Sequence, residues 1–543
     1  MNKDLLEQLK SFEFDESHFS NDASRHAFRF LLNAVEQFAS EVQQLREENQ
    51  KLKDEINRLK GEQGKPEIRP QKKDGDISSE KERKTPKKPR KKGSKKGNIQ
   101  INRVEHCPVD RSVLPEDAVS KGVEINLVQD ITIQTENIEF RREVFYSPSL
   151  GRRFIGSLPP GYEGTFGPGV KTLVQVLYHD AHVTQPGIFR LLRSCGVDIS
   201  AATISRIITG APELFQQEYK DIIKSGLKSA DYQQIDDTGA RVNGKNHYVH
   251  VLCNPFYTAY FTRPRKDRLT ILEVVSPDGL KFHWTQEAID LMEVLGLSQK
   301  QLTRVSEFKT HNVLSEQEVD ERLKILFPNP GKGETNRHRI KEACAVVAYR
   351  NRSDAIKQLV CDDAPQFKNI TEWLALCWVH EGRHYKKLKP FIHSHRKKLD
   401  IFLKDFWSYY RRLRDYKENP CPKRSETLSK EFDVLFSRKT GYEELDERIT
   451  KTAAKKDNLL LMLDHPQIPL HNNESELGAR NQARKRDVSL QTKNAKGTHA
   501  KDVMMTVVQT ARKLGVNIFN YVHDRVTGTF NMTSLADLIP QKS

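Results

Sequence analysis

Between residues 26 and 60, apolar side chains recur at alternating steps of three and four: Phe28, Leu31, Val35, Phe38, Val42, Leu45, then Leu52, Ile56 and Leu59. Asn49 fills the one position the series leaves open. A stripe of this period belongs to an α-helix, and sustained over several heptads with Glu and Lys on its flanks it fits a helix wound against a partner. An Asn in the a layer pairs with its mate across a parallel dimer and is poorly satisfied otherwise, so it sets register and partner number. The plainer alternative is an amphipathic helix packed on its own chain. Residues 1–60 are therefore expected to form an N-terminal helix with a coiled-coil dimerisation segment over 26–60.

From Gly61 to about Gly97 this pattern gives way to Pro, Gly, Ser and charge. Lys81–Lys96 holds ten Lys/Arg and one acid, a net +9 out of +16 for the whole chain. Like charges at that density repel and bury no core, so residues 61–100 are expected to be a disordered basic linker. Lys87, Lys88, Arg90 and Lys91 would touch DNA phosphates there without regard to sequence; the alternative is a solubilising tether. The sequence holds no run of 18 apolar residues, the length a membrane-spanning helix needs. The opening MNKDLLEQLK lacks the apolar stretch of a secretory signal. Seven cysteines without a CxxC pair argue for a reducing compartment. The expectation is a cytoplasmic, nucleoid-associated protein with DNA and no membrane as partner.

Further along, VEINLV, ITIQTENIEF and REVFYS read as short strands, making 101–160 a small β-rich region. Within 161–225, one helix is expected from Pro186 to Ser194, a turn at Gly196, and a second helix capped by Ser200 with Ile204, Ile207 and Ile208 facing inward. This fits a helix-turn-helix for DNA and equally a plain helical hairpin. Residues 226–500 alternate strands and helices and are expected to form a mixed, helix-rich α/β core, followed by a helical region over 501–543 that includes VMMTVVQTARKLG, closed by Gly515.

Three acidic spots lie where elements end or begin. Asp236-Asp237 and Asp362-Asp363 each close a strand, and Glu474 and Glu476 open a helix with Asn472 or Asn473 as its cap. Singly, such acids are ordinary caps of turns and helices. Together they suit phosphodiester chemistry, in which two Mg²⁺ ions held by carboxylates activate the attacking oxygen and neutralise the leaving one. Neighbours on a strand point to opposite faces, so only one Asp of each pair can serve, and Glu474 and Glu476 exclude each other on the helix in the same way.

The stretches DDTGARVNGKNHYVHV, LVCDDAPQF, CWVHEGRHYKKL, IPLHNNESELGARNQARKRD and TARKLGVNIFNYVHD, in that order, resemble a transposase of the insertion sequence 66 family, with a ribonuclease H-like Asp-Asp-Glu domain. The resemblance spans about 126–526. It implies Asp236, Asp362 and Glu476 as catalytic metal ligands, two Mg²⁺ with Mn²⁺ able to substitute, and insertions near 268–340 and 380–460. Arg480, one turn beyond Glu476, would hold a scissile phosphate or pair with the glutamate, and Arg484 and Arg486 would extend the DNA contact. Cys377, Trp378, His380, Arg383, Asn472 and Asn473 are expected to brace the site. A zinc ion on Cys377 and His380, with Cys361 and His384 nearby, is not expected, because no paired set completes it.

The chain departs from the family pattern at Cys107-Pro108-Val109-Asp110, which lacks the second cysteine of a zinc cluster, at His471 where an aspartate is usual, and at Leu477 where an arginine is. None of these removes an expected ligand. The implied activity is binding of terminal inverted repeats, strand cleavage and strand transfer, with the dimer holding two ends and helper proteins of the same element as further partners. The alternatives are a nuclease of the same fold without joining activity, or a catalytically inactive dimeric DNA-binding regulator.

Overall fold

A computed structural model describes Phe19 and residues 21–59, 99–329, 331 and 333–540. Helix α1 (Asp22–Leu59) carries the heptad stripe. Leu31, Phe38, Leu45 and Leu52, together with Phe30, face solvent, while one flank docks on the chain's own body. Buried Glu36 accepts from the backbone N–H of Phe391 and Ile392 and lies 3.1 Å from Nδ1 of His395. Asn33 donates to the Gly441 carbonyl and accepts from the Glu443 N–H. The tract with Lys87, Lys88, Arg90 and Lys91 lies outside the described residues.

Residues 101–160 differ from expectation. VEINLV and ITIQTENIEF form no ladder; β1 (Val144–Ser147), from REVFYS, pairs only with β2 (Arg152–Ile155). The apolar residues of the first two stretches, Val123, Ile125, Val128, Ile131 and Ile133, are all exposed. β-branched side chains favour a strand only where a neighbour and a buried face exist, and here there is neither.

Helices α2 (Pro168–His179), α3 (Gln185–Ser194) and α4 (Ala201–Thr209) close on a small core of Val174, Ile188, Leu192, Ile199, Ile204 and Ile208. Thr184 and Ser200 cap α3 and α4 by accepting from the N–H of Gly187 and Thr203. Gly196, in the turn between them, has φ +84°, which glycine adopts without strain.

After α5 (Ala211–Lys228) come β3 (Tyr232–Val242), β4 (Lys245–Asn254) and β5 (Tyr257–Arg263), then α6 (Arg268–Val275). A further unit follows, comprising β6 (Phe282–His283), α7 (Gln286–Val294), α8 (Gln299–Ser306), β7 (Val313–Leu314) and α9 (Glu316–Leu326). Helix α10 (Glu334–Arg350) leads back to β8 (Gln358–Cys361) and β9 (Trp373–Leu376). The central sheet runs β5-β4-β3-β8-β9, antiparallel among β3, β4 and β5 and parallel from β3 through β9. Strands β4 and β5 are buried along most of their length.

Helices α11 (Trp378–Lys386), α12 (His393–Glu418), α13 (Pro422–Phe436), α14 (Glu443–Ala453) and α15 (Lys456–Leu460) surround an aromatic cluster that includes Trp378, Phe402, Phe406 and Phe436. The chain then crosses the sheet as α16 (Asn473–Ser489) and α17 (Ala495–Lys513), and ends in α18 (Ile518–Thr527) and α19 (Leu535–Leu538). Asp502, Thr506 and Thr510, one turn apart on α17, accept from the N–H of Thr262, Tyr260 and Thr258, so the helix covers the β5 edge. Helix α17 ends just before Gly515, at φ +69°. The fold is mixed α/β and rich in helix. Among the described residues no helix is long and apolar enough to cross a membrane.

Candidate active site

The β3–β8 ladder matches Tyr232 to Gln358 and Gln234 to Val360 in parallel. Carried two residues on, it sets Asp236 level with Asp362, and both side chains leave the same face of the sheet. Asp362 directly follows the end of β8, as expected, but Asp236-Asp237 do not close a strand: β3 runs on to Val242, because residues 238–242 go on pairing with β4. Asp236 accepts from the Asp237 N–H and Asp362 from the Ala364 N–H. Among the described residues neither forms an ion pair with a basic side chain. Burial, then the charges of Asp362 and Glu476, push the Asp236 carboxyl up to about 7. Burial also raises Asp362, against the pull of the Ala364 N–H and His380.

Their sequence neighbours have partners. Asp237 accepts from Nε2 of Gln366 at 2.9 Å and lies 3.7 Å from Lys266. Asp363 lies 3.0 Å from Lys368 and 2.7 Å from Lys455; burial works to raise its carboxyl, but the two lysines outweigh that and hold it low. Glu474 is likewise engaged, 2.8 Å from Lys513, whose ammonium also donates to the carbonyls of Asn254 and Tyr257. Except for Lys368, five residues from Asp363, these partners come from elsewhere in the chain and carry no local signal in the sequence.

Glu476 sits in the first turn of α16, with its side chain 9% exposed. The Arg383 guanidinium grips it as a fork, donating at 3.1 and 2.9 Å, and His380 Nε2 lies 3.5 Å from the same carboxylate. The glutamate's partner is thus Arg383 on α11, and Arg480 is exposed on α16. Cys377, His380 and Glu476 each bring a ligand atom within 4.8 Å of the other two. Arg383 also lies 3.0 Å from His380 Nε2 and supplies positive charge at that spot, while burial raises the Cys377 thiol to about 12.

The remaining expected residues separate. Trp378 is fully buried, donates to the Leu459 carbonyl and packs on Phe406 and Tyr409. Asn472 stands at the α16 N-cap without a side-chain capping bond; it is fully buried and neither amide atom has a hydrogen-bond partner. Asn473 is the first residue of α16. Arg484 is exposed beyond Arg480 on the same helix, and Arg486 donates to the Gly239 carbonyl. Glycine at 478 lets α16 lie close on the sheet, since a Cβ there would meet Val251 Cγ1 at 2.6 Å.

An uncharacterized protein of Sinorhizobium fredii, y4jO, is 29% identical over 313 residues, which is 56% of this chain and 94% of that protein. The family model described as Transposase IS66 family matches residues 163–277 and 346–500 and leaves 278–345 unmatched between them. The two matched segments hold all five strands of the central sheet, both aspartates and the glutamate-bearing helix, and the chain belongs to the transposase IS66 family.

Proposed function

We propose that this transposase binds the terminal inverted repeats of its element, cuts DNA strands there and joins the freed 3′ hydroxyls to target DNA, using Asp236, Asp362 and Glu476. The observation that carries the reading is the contrast within the two aspartate pairs. Asp236 and Asp362 stand level on adjacent parallel strands without a cation, whereas Asp237 and Asp363 are engaged by lysine or amide; Glu474 and Glu476 are both paired, with Lys513 and Arg383. Carboxylates buried and crowded until one is pushed up to about 7 suit a divalent cation, whose charge offsets both. The orphaned Asn472 amide, four residues before Glu476, adds unused polar capacity in the same sequence block. A mixed five-stranded sheet with helices packed on it supports the ribonuclease H-like reading.

Two Mg²⁺ ions held by the three carboxylates would supply an activated attacking oxygen and charge for the leaving one. The chain's own residues do the rest. Asp236 and Asp362 are fixed by the ladder, and the Arg383 fork orients Glu476. Arg480 and Arg484, exposed along α16, hold the DNA backbone near the site. Helices α3 and α4 present a surface for the repeats. A dimer through 26–60 holds two DNA ends together, the basic tract adds salt-sensitive affinity, and helper proteins of the element complete the assembly.

The test is to incubate the full-length protein with the DNA ends flanking its own gene, with Mg²⁺ or Ca²⁺, and map nicks to the nucleotide. Nicks at the repeat ends with Mg²⁺, lost in Ca²⁺ and in Asp236→Ala while binding survives, are the expected result. Products joined to a second duplex separate a transposase from a nuclease. Binding without nicks, even with helper proteins present, would replace this reading with that of a regulator.

A further inference from the structure

Where α2, α16 and α17 meet the far end of β3, a cavity of about 20 Å³ is lined by Tyr178, Gln482, Lys485, Ser489 and Lys501, with Arg241 and Arg486 at its mouth. Its lining holds four cations and no acid. Lys485 and Lys501 are 2% and 7% exposed. Lys485 donates to the Tyr178 carbonyl and sits 3.3 Å from the centre of that ring, while among the described residues Lys501 has no hydrogen-bond acceptor. Asp502, the nearest acid in sequence, is committed to the N–H and hydroxyl of Thr262. Gln482 leaves its buried Oε1 without a partner, and fully buried His179 leaves both ring nitrogens so.

Two ammonium groups brought from successive helices into one buried space are disfavoured unless an anion answers them. The volume accepts one water-sized group, such as a single oxygen of a larger anion whose remaining oxygens meet the mouth. We propose that this cavity is a binding site for a phosphate-type oxyanion, gripped inside by Lys485 and Lys501 and outside by Arg241 and Arg486. The site lies about 14 Å along α16 from Glu476, at 1.5 Å per residue. Burial, with Lys501 adding to it, lowers the Lys485 ammonium to about 7, which fits a site short of negative charge. The anion has two possible sources, free inorganic phosphate or a phosphate of the DNA backbone.

Thermal unfolding of the full-length, metal-free protein, with sodium phosphate replacing chloride at constant ionic strength, reads the first source. The melting temperature should climb with the logarithm of phosphate concentration, and Lys501→Met and Lys485→Met should abolish the climb while melting no lower than wild type in chloride. If either buried variant fails to fold, Arg241→Gln with Arg486→Gln at the mouth should weaken the same response. The second source is read from DNA affinity across a salt series. There Lys501→Met should lower the slope of log K against log salt by about one. A wild-type protein indifferent to phosphate, combined with an unchanged slope in Lys501→Met, would overturn the proposal. The phosphate measurement contains no DNA, so its result stands apart from whether the protein cuts DNA.

Discussion

Gly478→Ala isolates how the sheet seats the helix that carries Glu476. A methyl at 478 would lie 2.6 Å from Val251 Cγ1, and 3.4 Å from both Thr258 Cγ2 and the Tyr260 hydroxyl oxygen. Val251 and Tyr260 are fully buried, and Tyr260 donates to the Gly478 carbonyl, so nothing there swings into solvent. Carbon atoms rest at about 3.5–4.0 Å, so strand and helix must part by about 1 Å. Overpacking of this kind costs about 1–3 kcal/mol, and the better helix propensity of alanine returns about 1 kcal/mol. The protein should fold and melt only a few degrees lower. Glu476 is two residues away, however, and a displacement of about 1 Å at a catalytic group costs about a hundredfold in rate. The assay is Mg²⁺-dependent nicking of repeat-end DNA beside a melt of the same sample. Val251→Ala in the same chain removes the atom that clashes and should restore most of the nicking. Wild-type nicking in Gly478→Ala, or no recovery in the double variant, would refute the idea that this contact positions Glu476.

Three further expectations follow from the same geometry. Because the folded Asp236 carboxyl keeps its proton up to about 7 while an unfolded one releases it near 4, the metal-free protein should lose stability as pH rises through that window. Asp236→Asn should flatten that loss, melt higher than wild type at about pH 8, and show none of the nicking that in wild type rises with pH across the same range. Arg383→Gln leaves the buried Glu476 carboxylate without its fork; urea unfolding should show about 1–3 kcal/mol less stability at an unchanged m value. Leu45→Glu with Leu52→Glu puts charge into the exposed row of α1; light scattering should find dimers for the wild type and monomers for the variant, with the Glu36 dock on His395 retained.

Local chemistry made much of this fold readable in advance. Ser200 caps α4, Gly196 turns the chain before it and Gly515 closes α17, because each choice concerns a few adjacent residues. The strands expected from VEINLV and ITIQTENIEF are missing because extended backbone becomes sheet only against a neighbour, and neighbours are a property of the tertiary fold. The same divide runs through the site. Strand parity says that one acid of each pair faces the proposed metal, but not which, since the answer lies with Lys266, Gln366 and Lys455, far along the chain, as well as with nearby Lys368. Periodicity alone offers Glu476 to Arg480, one turn away; folding delivers Arg383 from another helix instead. An acid doublet therefore does two jobs. Asp237, within β3, ties down the segments after β5 and β8 through Lys266 and Gln366, and Asp363 is held by Lys368 and Lys455. Strand alternation then leaves Asp236 and Asp362 on the opposite face without a cation, where a single acid would have to choose between anchoring a loop and taking up the proposed metal.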